Sequence, residues 1–147
     1  MVRSLLMLAL LGCGAEAPPI SAAISPSVEH DVSRLKPCPE SPNCVCSQGD
    51  PADAQHYIEA LKAPSGDAMA ALKTTVTAMP RVAVLEEGDG YLKTVFTSKI
   101  FRFKDDVEFE LDADAGVIHV RSASRVGHDD LKANRKRVEA IRLALGG

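Results

Sequence analysis

Three cysteines stand close together in Cys38-Pro39-Glu40-Ser41-Pro42-Asn43-Cys44-Val45-Cys46, and thiols at that density either oxidise to a disulfide or gather a soft metal. Cys38 and Cys44 are the better-matched pair. Five intervening residues let a turn bring their Cα atoms within about 6 Å, whereas Cys44 and Cys46 in an extended segment sit near about 7 Å. Cys46 is then the odd thiol. The metal alternative needs His56 as a fourth ligand, and structural zinc spacings usually pair two CxxC-like knuckles, of which only half of one is present. No metal and no cofactor is therefore assigned.

A second concentration of polar chemistry lies further along, where Arg121, Ser122, Ser124 and Arg125 come in quick succession and Asn134 and Arg135 follow. Helical spacing puts Asn134 on one stripe with Leu131 and Val138, and a polar group on an apolar stripe must find partners. Two readings are open. In one, Asn134 and Arg135 bond the loop 121–127 and pair with Asp105, Asp106 or Glu108, locking helix to sheet. In the other, Arg121, Ser124, Arg125, Asn134 and Arg135 form a ligand site in which guanidinium forks receive a carboxylate or phosphate bidentately.

Catalytic constellations are less well supported. Ser124 and His128, with Asp129 and Asp130 adjacent, invite comparison with a hydrolase triad, but nucleophile and base normally come from separate parts of a fold. Glu108, Glu110 and Asp112 alternate with Val107, Phe109 and Leu111 and read as the solvated face of a strand. His119 alternates with Ile118 and Val120 and is expected to face solvent. No catalytic residue is assigned. A small hydrolase or thiol-redox protein using the Ser124/His128 region or Cys46 is the alternative to a non-catalytic binding module.

The N-terminus adds an address. Arg3, the apolar run 5–11 and Leu10-Leu11-Gly12-Cys13 have the layout of a short secretory leader, too brief for a membrane span, and resemble the lipobox of bacterial lipoproteins. This predicts a signal peptide over 1–12 and a lipid, palmitate included, on Cys13. By analogy with other lipoproteins, Gly14 favours the periplasmic side of an outer membrane in a cell that has one. Residues 13–36, rich in Ala, Ser and Pro without apolar periodicity, read as a tether with a reach of about 25 Å. Residues 37–147 form one globular domain. Partners expected are the membrane through the anchor and a small anion, a lipid or an envelope protein.

Lys and Arg number 17 against 20 Asp and Glu, and losing Arg3 with the leader moves the net charge from −3 to −4. That balance, with no Trp, two Tyr and four Phe, does not suggest a nucleic-acid binder.

The elements that must position these residues follow from periodicity. Asp50-Pro51-Ala52-Asp53 predicts a single helical turn, with 56–61 extended after it. Ser65 is placed to cap a helix carrying Met69, Leu72, Val76 and Met79 on one face and ended by Pro80. From Arg81 the period drops to two. Strands are predicted over 81–85, 91–97, 107–111 and 117–122, with turns at 87–90 and 112–116. A final helix within 129–145 presents Leu131, Val138, Ile141 and Leu145, with Asp129 and Asp130 near its positive end. The fold class is α+β: an antiparallel meander sheet of four to five strands with two helices packed on one face.

The segments 38–45, 101–109, 120–127 and 134–142, taken together, resemble the family of domain of unknown function 1499. That resemblance spans nearly all of the chain after the tether and implies no activity, because the family carries none. Its members commonly have Ser where Cys46 stands and an aromatic where His128 stands, so it lends neither residue a role.

Overall fold

The computed structural model describes residues 33–147; Cys13, the leader over 1–12 and the tether as far as residue 32 lie outside the described residues. Period-two alternation makes four of the strands: β3 (Val82–Gly88), β4 (Tyr91–Thr97), β5 (Lys104–Asp112) and β6 (Val117–Ser124). They form an antiparallel meander in which Val107 opposes Thr94 on one side and Ser122 on the other. Two short strands, β1 (Cys44–Cys46) and β2 (Leu61–Lys62), share the free edge of β6, giving a six-stranded sheet. β1 forms directly after Pro- and Asn-rich residues that favour turns. Val45 pairs with Ser122, and the ladder hydrogen bonds of the β6 edge outweigh the local turn preference.

Two helices cover one face. α1 (Ala68–Thr77) buries Ala68, Leu72 and Val76, while α2 (Ala133–Ala144) buries Asn134, Val138 and Ile141. Against them the sheet sets Val45, Leu92, Phe96, Val107, Phe109, Ile118 and Val120, an aliphatic core with two phenyl rings. The architecture is α+β with both helices on one face, as the periodicity predicts.

Both helix starts differ from expectation. Asp67, not Ser65, caps α1, its Oδ1 accepting from the Ala70 N–H at 3.0 Å, because Gly66 takes φ +82° and turns the chain ahead of the helix. α2 begins four residues later than Asp129. Leu131 and Lys132 both adopt left-handed backbone, φ 53° and 63°, so Leu131 leaves the apolar stripe and is 81 % exposed. The Asp129 and Asp130 side chains hold this turn by accepting from the N–H groups of Leu131 and Lys132 at 2.7 and 2.9 Å.

The opposite face of the sheet is not solvated at its centre. Glu108 is buried there, and His119 is half-buried, its Nδ1 3.2 Å from the Ser47 hydroxyl. Residues 33–36, read above as the end of the tether, lie against this face. The Ser33 hydroxyl and the Arg34 N–H donate to Glu110, and Leu35 is buried.

Candidate functional site

A groove of about 630 Å³ opens where β1, the turns before β2 and the start of α2 meet; Pro42, Val45, Ala54, Gln55, Leu131, Lys132 and Arg135 line it, with Asp129 and Asp130 at one side. Each wall is fixed by a local device. Pro42 sits in the loop closed by the Cys38–Cys44 disulfide, whose Cα atoms are 5.6 Å apart, the pairing that spacing favours. Ala54 and Gln55 follow from turns in which Asp50 Oδ1 accepts from the Ala52 N–H and Asp53 Oδ1 from the Gln55 N–H. The extended reading of 56–61 reduces to a bridge at Tyr57 and β2. His56, the residue considered as a metal ligand, is bound to Asp53 by Nδ1 at 2.7 Å, so its proton-bearing imidazole is part of this turn. Among the described residues no cluster of His, Cys, Asp and Glu could hold a metal.

Behind the groove runs a buried polar network. The Ser122 hydroxyl donates to Asn134 Oδ1 at 2.6 Å, and Asn134 Nδ2 donates to Asn43 O, Ser124 Oγ and Asp130 Oδ2 at 3.0, 2.9 and 2.7 Å. Arg137 Nη1 donates to both Ser122 Oγ and Asn134 Oδ1, and its Nη2 pairs with Asp105. Asn134 therefore ties β1, β6 and α2 together with every polar atom of its amide engaged, the locking role among the two readings. Arg137 and Asn43, essential to this network, were not singled out from the sequence; Arg137, one turn beyond Asn134, carried the only available signal.

The five residues of the anion reading do not converge. Arg121 and Arg125 lie on the far face of the sheet, remote from the helices. Arg121 Nη1 is 3.3 Å from Glu108, and Arg125 grips Asp106 bidentately at 2.9 and 2.7 Å. That grip holds the Asp106 carboxyl below its ordinary pKa and raises that of Arg125. Alternation explains the difference: odd-numbered residues of β6 share a face with the even-numbered carboxylates of β5, so Arg121 lies directly opposite Glu108, and Arg125, one residue past the strand, reaches diagonally to Asp106. Ser124 belongs to the Asn134 network and not to His128. Arg135 alone lines the groove. Its Nη2 donates to the carbonyls of Ala54, Gln55 and Tyr57 at 3.3, 3.2 and 2.8 Å, which holds the guanidinium in the wall with Nη1 and Nε outside those bonds.

On the far face, Glu108 accepts from the Tyr91 hydroxyl at 2.7 Å, and Lys93 Nζ is 3.5 Å away. Burial, then the hydrogen bond to Glu108, pushes the Tyr91 phenol well above its ordinary pKa. Cys46 stands beside Arg121 in the same row as a buried free thiol, and burial raises its pKa despite the nearby guanidinium. A thiol so held is a poor nucleophile at neutral pH.

The arrangement offers a partly apolar cleft with Arg135 and Lys132 as cationic groups and Gln55 as a two-way hydrogen-bonding group. A family model described as a protein of unknown function (DUF1499) matches residues 34–145, beginning at the residue whose N–H binds Glu110. No curated protein matches the chain.

Proposed function

The chain belongs to the DUF1499 family, and on that premise we propose that it is a non-catalytic binding module of the cell envelope, carried on a lipid anchor at Cys13, whose groove takes a small amphipathic anion. The groove itself carries the reading. Ligand sites are concave and mostly apolar with a few placed polar groups, and this one sets Pro42, Val45, Ala54 and Leu131 beside Arg135 and Lys132. An aliphatic body fits the first group and a carboxylate or phosphate the second. The backbone strain at Leu131 and Lys132, two left-handed non-glycine residues in succession, is of the kind that collects at ligand sites and keeps an apolar side chain at the mouth. The hydrolase and thiol-redox alternatives gain no support from the geometry, since Ser124 is bonded within the Asn134 network and burial weakens Cys46 as a nucleophile.

The test is thermal stabilisation of the purified protein by dodecyl phosphate, decanoate and inorganic phosphate. Stabilisation by the first two, lost on Lys132→Glu and kept on Arg125→Ala, is the expected pattern, because Arg125 is fully engaged by Asp106. No shift with any of the three, or equal loss with both variants, overturns it. Anchoring is tested separately by mass spectrometry of the membrane fraction, where the mature chain is expected to begin at a diacylated Cys13.

A further inference from the structure

The β4–β5 connection carries a cluster of exposed apolar side chains, and nothing in the groove reading uses them. Ile100, Phe101 and Phe103 are 77 %, 73 % and 51 % exposed, and the two phenyl rings stack on each other with centroids 5.5 Å apart. Arg102 between them takes φ +57°, which turns the strand-to-strand link outward. The connection from β6 leaves at the same end, where the Arg125 N–H donates to Lys104 O at 3.0 Å, and it adds exposed Val126 one residue on. Interleaved with these are Lys99, Arg102 and Lys104, all exposed, and Arg81 joins them through a hydrogen bond from its Nε to Thr97 O. Among the described residues none of these four cations makes an ion pair, whereas the carboxylates at this end are taken up, Asp105 by Arg137 and Asp106 by Arg125. The opposite end of the sheet carries acidic residues, with Asp89 in one turn and Asp114 in the other, Asp112 at the end of β5, and Glu87 near the end of β3 paired with Lys73.

We infer that the tip 98–104 is a docking surface for an anionic lipid bilayer, its apolar side chains entering the headgroup boundary while the four cations meet lipid phosphates. Exposed aromatic and aliphatic groups rimmed by Lys and Arg have the chemistry of an interfacial anchor. Ile100 and Val126 offer no π face to a stacked base, and acyl chains accept them and the phenyl rings alike. The basic tip and acidic turns also orient the module in the field of such a surface, tip inward. The chain enters the domain at Ser33 against Glu110, about 20 Å along β5 from Lys104. Nineteen residues between Cys13 and Ser33, at most about 70 Å extended, span that distance, so both attachments can be made at once.

The chain holds no Trp, which makes an indole at the tip a unique reporter. Full-length protein with Cys13→Ala, so that no acyl group contributes, carries Phe101→Trp; Phe103→Trp is the second reporter should the first fail to fold. Vesicles of phosphatidylcholine containing phosphatidylglycerol are expected to shift the emission to the blue, brominated acyl chains to quench it, and pure phosphatidylcholine to do neither. Charge reversal at Lys99, Arg102 and Lys104 together lowers vesicle affinity at least tenfold, and raising salt weakens it. Lys132→Glu, decisive for soluble anions in the groove, leaves the signal unchanged. An unshifted indole, a shift equal with and without the charge reversal, or the same shift from a reporter at Leu85→Trp overturns the inference. The first of these is also what a tip built for an acidic protein would give.

Discussion

Arg121 and Arg135 are held on opposite sides of one sheet: the first reaches Glu108 at 3.3 Å on the face away from the helices, and the second, on α2, donates to Tyr57 O at 2.8 Å. Their side chains cannot serve one ligand. Arg121 and Glu108 are both largely out of water, so removing the guanidinium alone leaves a carboxylate with only Tyr91 and Lys93 for compensation. Arg121→Met is expected to destabilise the domain by about 3 kcal/mol in denaturant titration, and to leave anion binding by the folded protein unchanged.

Asn134 makes a different prediction. Replacing it with Leu keeps the volume but leaves the Ser122 O–H without its acceptor, and takes from Asn43 O one of its two donors, the Ser124 N–H being the other. A loss of about 1–3 kcal/mol in unfolding free energy follows from the desolvation of those groups, and Asn134→Asp, which keeps one acceptor and loses the donors, should not restore it.

The Cys46 thiol is expected to be inert toward a thiol reagent in the native protein and to react stoichiometrically after denaturation. Burial both excludes the reagent and raises the pKa. Rapid native-state labelling would contradict this and revive a redox reading.

His56 and Asp53 give a pH signature near neutrality. Asp53 holds the His56 pKa above its ordinary 6.5, so the pair's stabilisation is complete below that value and is lost as pH rises through the folded-state pKa. The same contact depresses the Asp53 pKa, whose contribution is present above its ordinary 3.8 and fades as pH falls below it. Melting temperature should therefore fall modestly between pH 6 and 8, and His56→Gln should flatten that slope.

Opening the Cys38–Cys44 loop removes a short covalent constraint. Cys38→Ser is expected to cost about 2 kcal/mol by loop-closure entropy and, because Pro42 then loses its fixed place, to weaken groove binding beyond that.

Much of this architecture was legible in residue pattern. Val107, Phe109 and Leu111 alternating with acids announce β5, and Leu72 and Val76 at helical spacing announce α1, because both rest on local periodicity set by a buried face. The disulfide was legible from loop length. What escaped depends on contacts distant in sequence. β1 forms because β6 has an open edge, and Glu108 is buried among Tyr91, Lys93 and Arg121 on a face to which residues 33–36 return at Glu110. Leu131 departs from the pattern for a different reason: it continues the stripe of Val138 and Ile141 on paper, but left-handed backbone at Leu131 and Lys132, held by the Asp129 and Asp130 side chains, delays the helix to Ala133. The site follows the same rule. Arg135 was singled out from its type and place, while Pro42, Val45, Ala54, Gln55 and Lys132 join it only in three dimensions.

Amide chemical shifts followed while dodecyl phosphate is titrated below its micelle threshold test the groove most directly. Saturable shifts concentrated at Val45, Gln55, Leu131, Lys132 and Arg135, and absent in the Lys132→Glu protein, are the predicted result. Shifts that spread over the tip 98–104 while the groove amides stay still, or no saturable shift anywhere, would contradict it.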